Sequence, residues 1–338
     1  MTYWQERLRL LEEAQHKNAT DYAKEVSKLY ESAIQNIEKE LAKWYTRFAT
    51  SEGISLTEAK RILNTRELKE FRMTVEEYIE KGESLDPQWS KELERASIKI
   101  HISRLEALEI QIQQIVENLK GNVFESFNEF GTNTYSGQYY HVLYEIQKGT
   151  GVGVDIMRLD KKRIEKVILK PWAMDGKNFS ERIWGDRTKL VNELHQTLSR
   201  GIIQGHAPRK MIKELSERMG VSRSNTERLI YTESAFFASR ATNDAYKELD
   251  VEKYEILATL DNRTSDVCRE MDGKIFKRSE YKIGVNAPPF HPRCRTTTVP
   301  YFPEDEDLPE YRAARENGKY QLVPSSMKYY DWEKTFIK

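Results

Sequence analysis

The chain has 338 residues, and its 54 Lys plus Arg balance 54 Asp plus Glu, so net charge gives no global drive toward nucleic acid. Mean hydropathy is −0.74 and 32% of residues are charged, yet 12 Phe, 6 Trp and 18 Tyr exclude a wholly disordered chain; long helices that bury one stripe and solvate the rest give this balance. Two cysteines exclude a disulfide framework, the opening MTYWQERLRLLEEAQ has no signal-peptide core, and no apolar run approaches the ~20 residues of a bilayer span, so a soluble protein made in the cytosol and free of membrane partners is expected.

The first third reads as long helices. Tyr22, Val26, Tyr30, Ile34, Ile37, Leu41, Trp44 and Phe48 recur at steps of three and four, which places them on one helical face, and Gly53 closes the stretch. Ser55-Leu-Thr-Glu58 has the form of a capping box for a shorter helix. Asp86-Pro87 then reads as an N-cap followed by proline at the first helical position, opening a helix to about Phe127 that carries Trp89, Leu93, Ala96, Ile100, Leu105, Leu108, Ile112, Ile115, Leu119 and Val123. Such helices form a stalk or bundle, with coiled-coil packing within the chain or between copies.

Between Gly131 and Gly153 the composition turns to Gly, Thr, Ser and Tyr, which reads as a loop with a strand at Tyr139–Ile146. Helix returns from about Asn178 to Leu249, punctuated by Gly201, Gly205 and Pro208. Gly220 is expected to end one helix and Ser224-Asn-Thr-Glu227 to cap the next, which carries Leu229, Ile230, Ala235, Phe236, Ala238, Ala241, Ala245 and Tyr246. After Val251 a small α+β module follows: a strand at Tyr254–Leu260, a turn at Asp261-Asn262, a short helix over Ser265–Met271, a turn at Asp272-Gly273 into Lys274–Phe276, and a strand at Thr296–Tyr301. The acidic Glu304–Asp307 opens an extended tail.

Both cysteines fall inside this module. His291 and Cys294 are spaced so that both can face one centre, and Cys268 arrives from the preceding turn, which makes a zinc site with Asp266 or water as fourth ligand one reading. Two buried thiols, or a disulfide pair outside the cell, with His291 capping the Pro-Pro loop, is the other. Asp261 is placed to accept backbone N–H groups, Arg263 and Arg295 to tie the two loops together, Asp272-Gly273 to make a tight turn, and Pro288-Pro289 to stiffen the approach to His291.

Read in order, LATLDNRTSDVCREMDG and APPFHPRCRTT resemble the closing segment of Mu F-like phage head-morphogenesis proteins, with Asp261, Arg263, Thr264, Cys268, Asp272, Gly273, Pro288, Pro289, His291, Pro292, Cys294 and Arg295 on the motif. The helix ERLIYTESAFFASRATNDAYKELDVEKYEI is of the family type, and Met327–Trp332 resembles the end of minor head proteins. The resemblance covers roughly Asn178 to the C-terminus. Ser265 and Thr296 stand where many members have cysteines, which sets this chain's motif toward an architectural task.

The fold class expected is therefore mainly α, with residues 1–130 a long-helix arm or bundle, 131–177 a loop-rich linker, 178–250 the helical part of a Mu F-like domain, 251–303 the α+β module and 304–338 an extended tail. The resemblance implies a non-enzymatic minor head protein. It implies a place at the portal vertex inside the virion, reached from the host cytoplasm during capsid assembly. The portal protein is the implied partner, with scaffolding or major capsid protein, phage DNA and self-association as further contacts, and with effects on DNA packaging or ejection.

Two other readings stand beside it. A zinc-dependent nuclease or hydrolase using His291 lacks a nearby second histidine, since the others lie at 16, 101, 141, 195 and 206, and no nucleophile elbow, Walker motif or dinucleotide loop is present. A DNA-binding module would use the basic run Arg158, Lys161, Lys162, Arg163, Lys166 and Lys170, whose bland counterpart is a solvated face.

Overall fold

The computed structural model describes residues 3–49, 104–150, 159–204 and 206–302, and the strands 311–316 and 319–324. In chain order these form α1 (Tyr3–Ala49), α2 (Arg104–Thr150), α3 (Lys161–Ile168), α4 (Phe179–Ile203), α5 (Pro208–Glu248), β1 (Lys253–Leu257), α6 (Asp266–Met271), β2 (Ile275–Lys277), a 3-10 turn (Arg278–Glu280), β3 (Thr297–Pro300), β4 (Tyr311–Glu316) and β5 (Lys319–Pro324). The chain is mainly helical with a small α+β module, as the sequence predicts. Among the described residues no helix is long and apolar enough to cross a membrane.

The stripe on α1 is real: Tyr22, Val26, Tyr30, Ile37, Leu41 and Trp44 are buried, Ile34 is half-buried and Ala33 takes its place in the core. The expected capping box at Ser55–Glu58, the Asp86-Pro87 helix start and the positions Trp89–Ile100 lie outside the described residues.

The loop expected from Gly131 is corrected over 131–150. Helix α2 runs unbroken to Thr150, and no strand forms at Tyr139–Ile146. The reason is burial at helical spacing: Phe127, Gly131, Tyr135, Tyr139, Val142, Leu143 and Ile146 follow steps of four, three and one along a single face and are all buried. That packing outweighs the weak helix propensity of Gly, Thr and Tyr, which costs each residue only about 0.5–1 kcal/mol relative to Ala.

A second correction falls at Gly220 and Ser224. Helix α5 passes through both without a break. Its buried row Met211, Leu215, Met219, Ser222, Thr226 and Ile230 continues across the glycine, whose own face meets nothing within 4 Å. A glycine on an open face weakens a helix; here it does not end one.

The described chain forms two compact units, and α1, α2, α4 and α5 each supply residues to both. The first unit comprises Met1–Ala23, Phe127–Phe179 and Glu227–Lys338. Its helical core is aromatic: Tyr22 stacks on Phe130 at 4.4 Å, Phe127 on Phe179 at 4.8 Å, and Trp172 on Phe236 at 5.1 Å. Buried polar groups are paired across it. The Tyr135 hydroxyl donates to Asp244 at 2.7 Å, Gln138 donates to Thr242 at 3.1 Å, and the Trp172 indole N–H donates to Glu233 at 2.9 Å. Gly131 is required here, since a Cβ on it would lie 2.8 Å from the Phe237 ring. At the start of α1, Tyr3 and Arg7 both hold Glu145, and the Trp4 ring lies 5.6 Å from Phe302.

The second unit comprises Lys24–Ser126 and Ser180–Thr226. At its centre Lys120 is fully buried, and its ammonium donates to Tyr30 Oη at 2.6 Å, Asp186 Oδ2 at 2.7 Å and Ser222 Oγ at 2.9 Å. The Tyr30 hydroxyl is within 2.8 Å of Thr226, and Ser222 also donates to Asp186. All three Nζ donors are thus used, as a buried ammonium requires. The α4–α5 reversal is close-packed, because a Cβ on Gly201 would collide with the Met211 sulfur.

The module that follows α5 is an antiparallel sheet in the order β2-β1-β3, with Tyr254 opposite Phe276 on one side and Glu255 opposite Val299 on the other. It is stitched to the helix before it. Tyr246 Oη donates to the Thr298 carbonyl at 3.0 Å, and Arg278 Nε donates to the Val251 carbonyl at 2.9 Å. In the tail, where an extended arm is expected, Tyr311–Glu316 and Lys319–Pro324 pair as an antiparallel hairpin. The Asn317-Gly318 pair between them is a sequence signal for such a turn. The rest of 303–338, including the acidic run and Met327–Trp332, lies outside the described residues.

Candidate metal centre

The site is built from the two loops that flank α6 and precede β3. Strand β1 delivers Ala258 to the core, and the chain then turns at Asp261. That carboxylate accepts the Arg263 N–H at 2.9 Å, and the Thr264 hydroxyl donates to it at 3.2 Å, which closes a local turn. Ser265 is the N-cap of α6 and its hydroxyl accepts the Cys268 N–H, so Cys268 stands in the first helical turn, facing inward. Asp272 ends the helix. Its carboxylate accepts the Ala258 N–H at 2.9 Å, and Gly273, at φ 71, donates to the Ile256 carbonyl at 2.8 Å, a conformation that favours glycine.

The second loop passes through the cis Pro288-Pro289 bond to His291 and turns there, with the Cys294 N–H donating to the His291 carbonyl at 3.2 Å. Arg295 then reaches back. Its two terminal nitrogens bind the two oxygens of Asp261, while its carbonyl accepts the Thr259 hydroxyl at 2.8 Å. Arg295 therefore ties the loops as expected. Arg263 does not: it is largely exposed and lies 3.8 Å from Asp261, a residue of its own loop.

These two loops bring Cys268, His291 and Cys294 together. Cys268 Sγ is 3.2 Å from His291 Nε2 and 3.6 Å from Cys294 Sγ, and the three ligand atoms all lie within 4.8 Å of one another. Ala258, Cys268 and Cys294 form one buried cluster, with Phe290 packed against it. Among the described residues no second histidine joins them. Asp266, the expected fourth ligand, does not join them either; its carboxylate is solvent-exposed and paired with Arg269 at 3.3 Å. Beside His291 and Cys294, the hydroxyls of Ser265 and Thr296 lie close enough to Cys268 to lower its pKa.

Three features fit a zinc ion. Two thiolates on a tetrahedral zinc with Zn–S of about 2.3 Å stand roughly 3.8 Å apart, close to the sulfur separation found. His291 Nδ1 lies 2.8 Å from the Pro292 carbonyl and so carries a proton, which leaves Nε2 to face the sulfurs. The backbone N–H groups of Phe290 and Thr296 favour the charged form of the Cys294 sulfur. Hydrogen bonding from Cys268 holds the Cys294 thiol well below the ordinary range against the cost of burial, and His291 adds to this. Cys268 is pushed up, first by its hydrogen bond to Cys294 and then by burial. The His291 imidazole is raised by its hydrogen bond to Cys294, which outweighs desolvation. Two sulfurs and an imidazole converge at one point, which is a donor set that suits a soft divalent ion.

The opening beside Cys268 and His291 holds about 20 Å³, the space of one water molecule. Its rim includes Arg263, Arg293 and Arg295. Arg293, in the left-handed region at φ 61, donates its N–H to Thr232 at 3.2 Å and lays its guanidinium over Tyr231, which anchors the loop to α5. The basic run lies elsewhere. On α3, Lys161, Lys162, Arg163 and Lys166 are exposed, as is Lys170 just after the helix, while Ile164 and Ile168 are buried; Arg158 lies outside the described residues.

Sequence reading found the three converging side chains and gave Arg295 a loop-tying task, but not Asp261 as its partner. It missed Thr259, whose hydroxyl holds the second loop, and the anchoring of Arg293 on Tyr231 and Thr232. Neither leaves a signal in spacing, because each pairs residues more than 30 positions apart.

Fold and site together define a helical protein whose long helices are followed by a cross-braced α+β module with a Cys-His-Cys centre. Residues 192–299, from within α4 to the penultimate residue of β3, match the family described as Phage Mu protein F like protein, so this region of the chain is similar to that family. That family is one of structural phage head proteins. No curated protein and no solved structure matches the chain.

Proposed function

We propose that the chain acts as a minor head protein that joins the portal vertex during capsid assembly, stays in the head and affects packaging or ejection of the DNA that passes there. The observation that carries this reading is the Mu F-like match, which runs from α4 through α5 into the braced module and includes Asp261, Arg295, Cys268 and His291. A rigid knot with a one-water opening is suited to fitting a protein surface. The portal protein is the partner proposed, with scaffolding or major capsid protein as further contacts, and the Lys161–Lys170 face is the one offered to phosphates. Co-expression with the portal protein of the same phage tests this. The chain is expected to co-purify with the portal ring and to be found in heads; portal rings and heads that both lack it would refute the reading.

Within that role the Cys268–His291–Cys294 centre is proposed to hold a structural zinc, with a hydroxyl from Ser265 or Thr296, or a water, in the fourth position. Bound zinc would fasten α6 to the loop before β3. Elemental analysis of the purified chain is expected to give one zinc per chain, lost together in C268S and C294S; a metal-free chain purified without chelator contradicts it.

A further inference from the structure

We propose that Lys120 and Asp186 condense within the folded chain into an amide that joins α2 to α4 through their side chains. The inference depends on neither the assembly reading nor the zinc reading, and it uses no residue of the Cys-His-Cys centre.

Burial sets this pair apart. Lys120 Nζ lies 2.7 Å from Asp186 Oδ2, with the two side chains 1% and 18% exposed. The pairs Lys17–Asp21, Lys43–Glu40, Lys189–Glu193, Lys210–Glu214 and Lys213–Glu217 each lie within one helix and keep the lysine side chain 56–78% exposed, where water competes for the amine. Lys120 is instead fixed by Tyr30 Oη at 2.6 Å and Ser222 Oγ at 2.9 Å. A second pair on the same two helices, Arg187 Nε to Glu117 Oε2 at 3.1 Å, holds their register. With an ordinary hydrogen-bond angle, the Lys120 nitrogen stands about 3.5 Å from the Asp186 carboxyl carbon, the range of a reacting contact. Replacing two buried ions by a neutral amide also relieves the desolvation that a buried pair bears.

The chemistry closes with the groups present. Lys120 Nζ passes one proton to Asp186 Oδ2 along their contact, which leaves an amine and a carboxylic acid and no change in the net charge of the pair. The nitrogen attacks the carboxyl carbon and the C–N bond forms. Negative charge gathers on Oδ1, which accepts the Asn225 side-chain N–H at 3.2 Å. Oδ2, which accepts the Ser222 hydroxyl, is the leaving oxygen. When its bond to carbon breaks, it departs with its own proton and one from the nitrogen as water, through the partly exposed side of Asp186. One ammonium and one carboxylate give one amide and one water, and no oxidant, reductant or activating group is needed.

The test measures the intact mass of the full chain after denaturation and maps its proteolytic peptides. The unaltered chain is expected to be one water lighter than its sequence and to yield a branched peptide in which Lys120 is joined to Asp186. The D186A chain is expected at its full sequence mass, with Lys120 in an ordinary linear peptide. Three results overturn the proposal: an unaltered chain at full sequence mass, a missing water that maps to another site such as the exposed Asp175-Gly176 turn, or a D186A chain that is still one water light. The first two readouts need no variant to fold.

Discussion

Arg295 holds Asp261 through both carboxylate oxygens, Nη1 to Oδ2 at 2.5 Å and Nη2 to Oδ1 at 2.7 Å, and so joins the turn after β1 to the segment entering β3. Both side chains are nearly buried, at 13% and 10% exposed. Arg295→Ala leaves a carboxylate with no bidentate partner in a low-dielectric site, which costs about 3–5 kcal/mol. Arg295→Lys is expected to recover only part, because an ammonium cannot make the paired contact. Chemical denaturation of the three chains measures this; a loss under about 1 kcal/mol for the alanine variant would show the pair to be a surface ornament.

The same pair sets an acid dependence. Burial raises the Asp261 carboxyl, but the hydrogen bonds and charge of Arg295, with help from Arg263, outweigh it and leave the group below its ordinary value. A depressed folded-state value means stability that is fully present above the unfolded carboxylate value of about 3.9 and is lost as pH falls through the folded value. Thermal melts between pH 7 and pH 3 should therefore show a steeper acid loss in the native chain than in D261N. Parallel curves would count against this assignment.

Two glycines in long helices should respond in opposite senses. Gly131→Ala puts a methyl 2.8 Å from the Phe237 ring, inside a packed aromatic core, and should destabilise by about 1–3 kcal/mol despite the better helix former. Gly220→Ala meets open space and should stabilise by up to about 1 kcal/mol. Denaturant midpoints compare them directly, and equal signs would contradict the packing given for α2.

Lys120 offers a test of burial against charge. Lys120→Met should cost about 3–5 kcal/mol, since it leaves Asp186 and the hydroxyls of Tyr30 and Ser222 without their cation. The double variant Lys120→Met/Asp186→Leu should regain much of that loss. A double-mutant cycle measures the coupling, and additive losses would mean that the two charges do not depend on each other.

The sequence was most informative where local chemistry dictates local shape. Ser265–Met271 reads as a short helix, Asp272-Gly273 as a turn and Tyr254–Leu260 as a strand; the helix forms with Ser265 as its cap, the turn forms, and the strand forms over Lys253–Leu257. Legibility failed where long-range burial overrules composition. Tyr135 and Tyr139 look like loop residues in a run of Gly, Ser and Thr, yet Asp244, more than 100 positions away, completes the first of them. Gly220 is a stop signal only if nothing continues the buried row beyond it, and Met219, Ser222 and Thr226 do so. Lys120 could not be assigned to a core from sequence, because what makes it tolerable there is an aspartate supplied by α4.

The contact of Trp4 with Phe302 has a consequence for how the molecule comes into being on the ribosome. The opening turns of α1 emerge first, but their partners Glu145, Ser234 and Phe302 emerge up to about 300 residues later. At about 5–20 residues per second that is a wait of roughly 15–60 s. Through that interval Trp4 and Leu8, both buried in the finished chain, have no native surface to settle on. A nascent chain of this design needs either a chaperone or a slow-to-aggregate, highly charged helix to carry it, and the Glu- and Lys-rich outer face of α1 supplies the second.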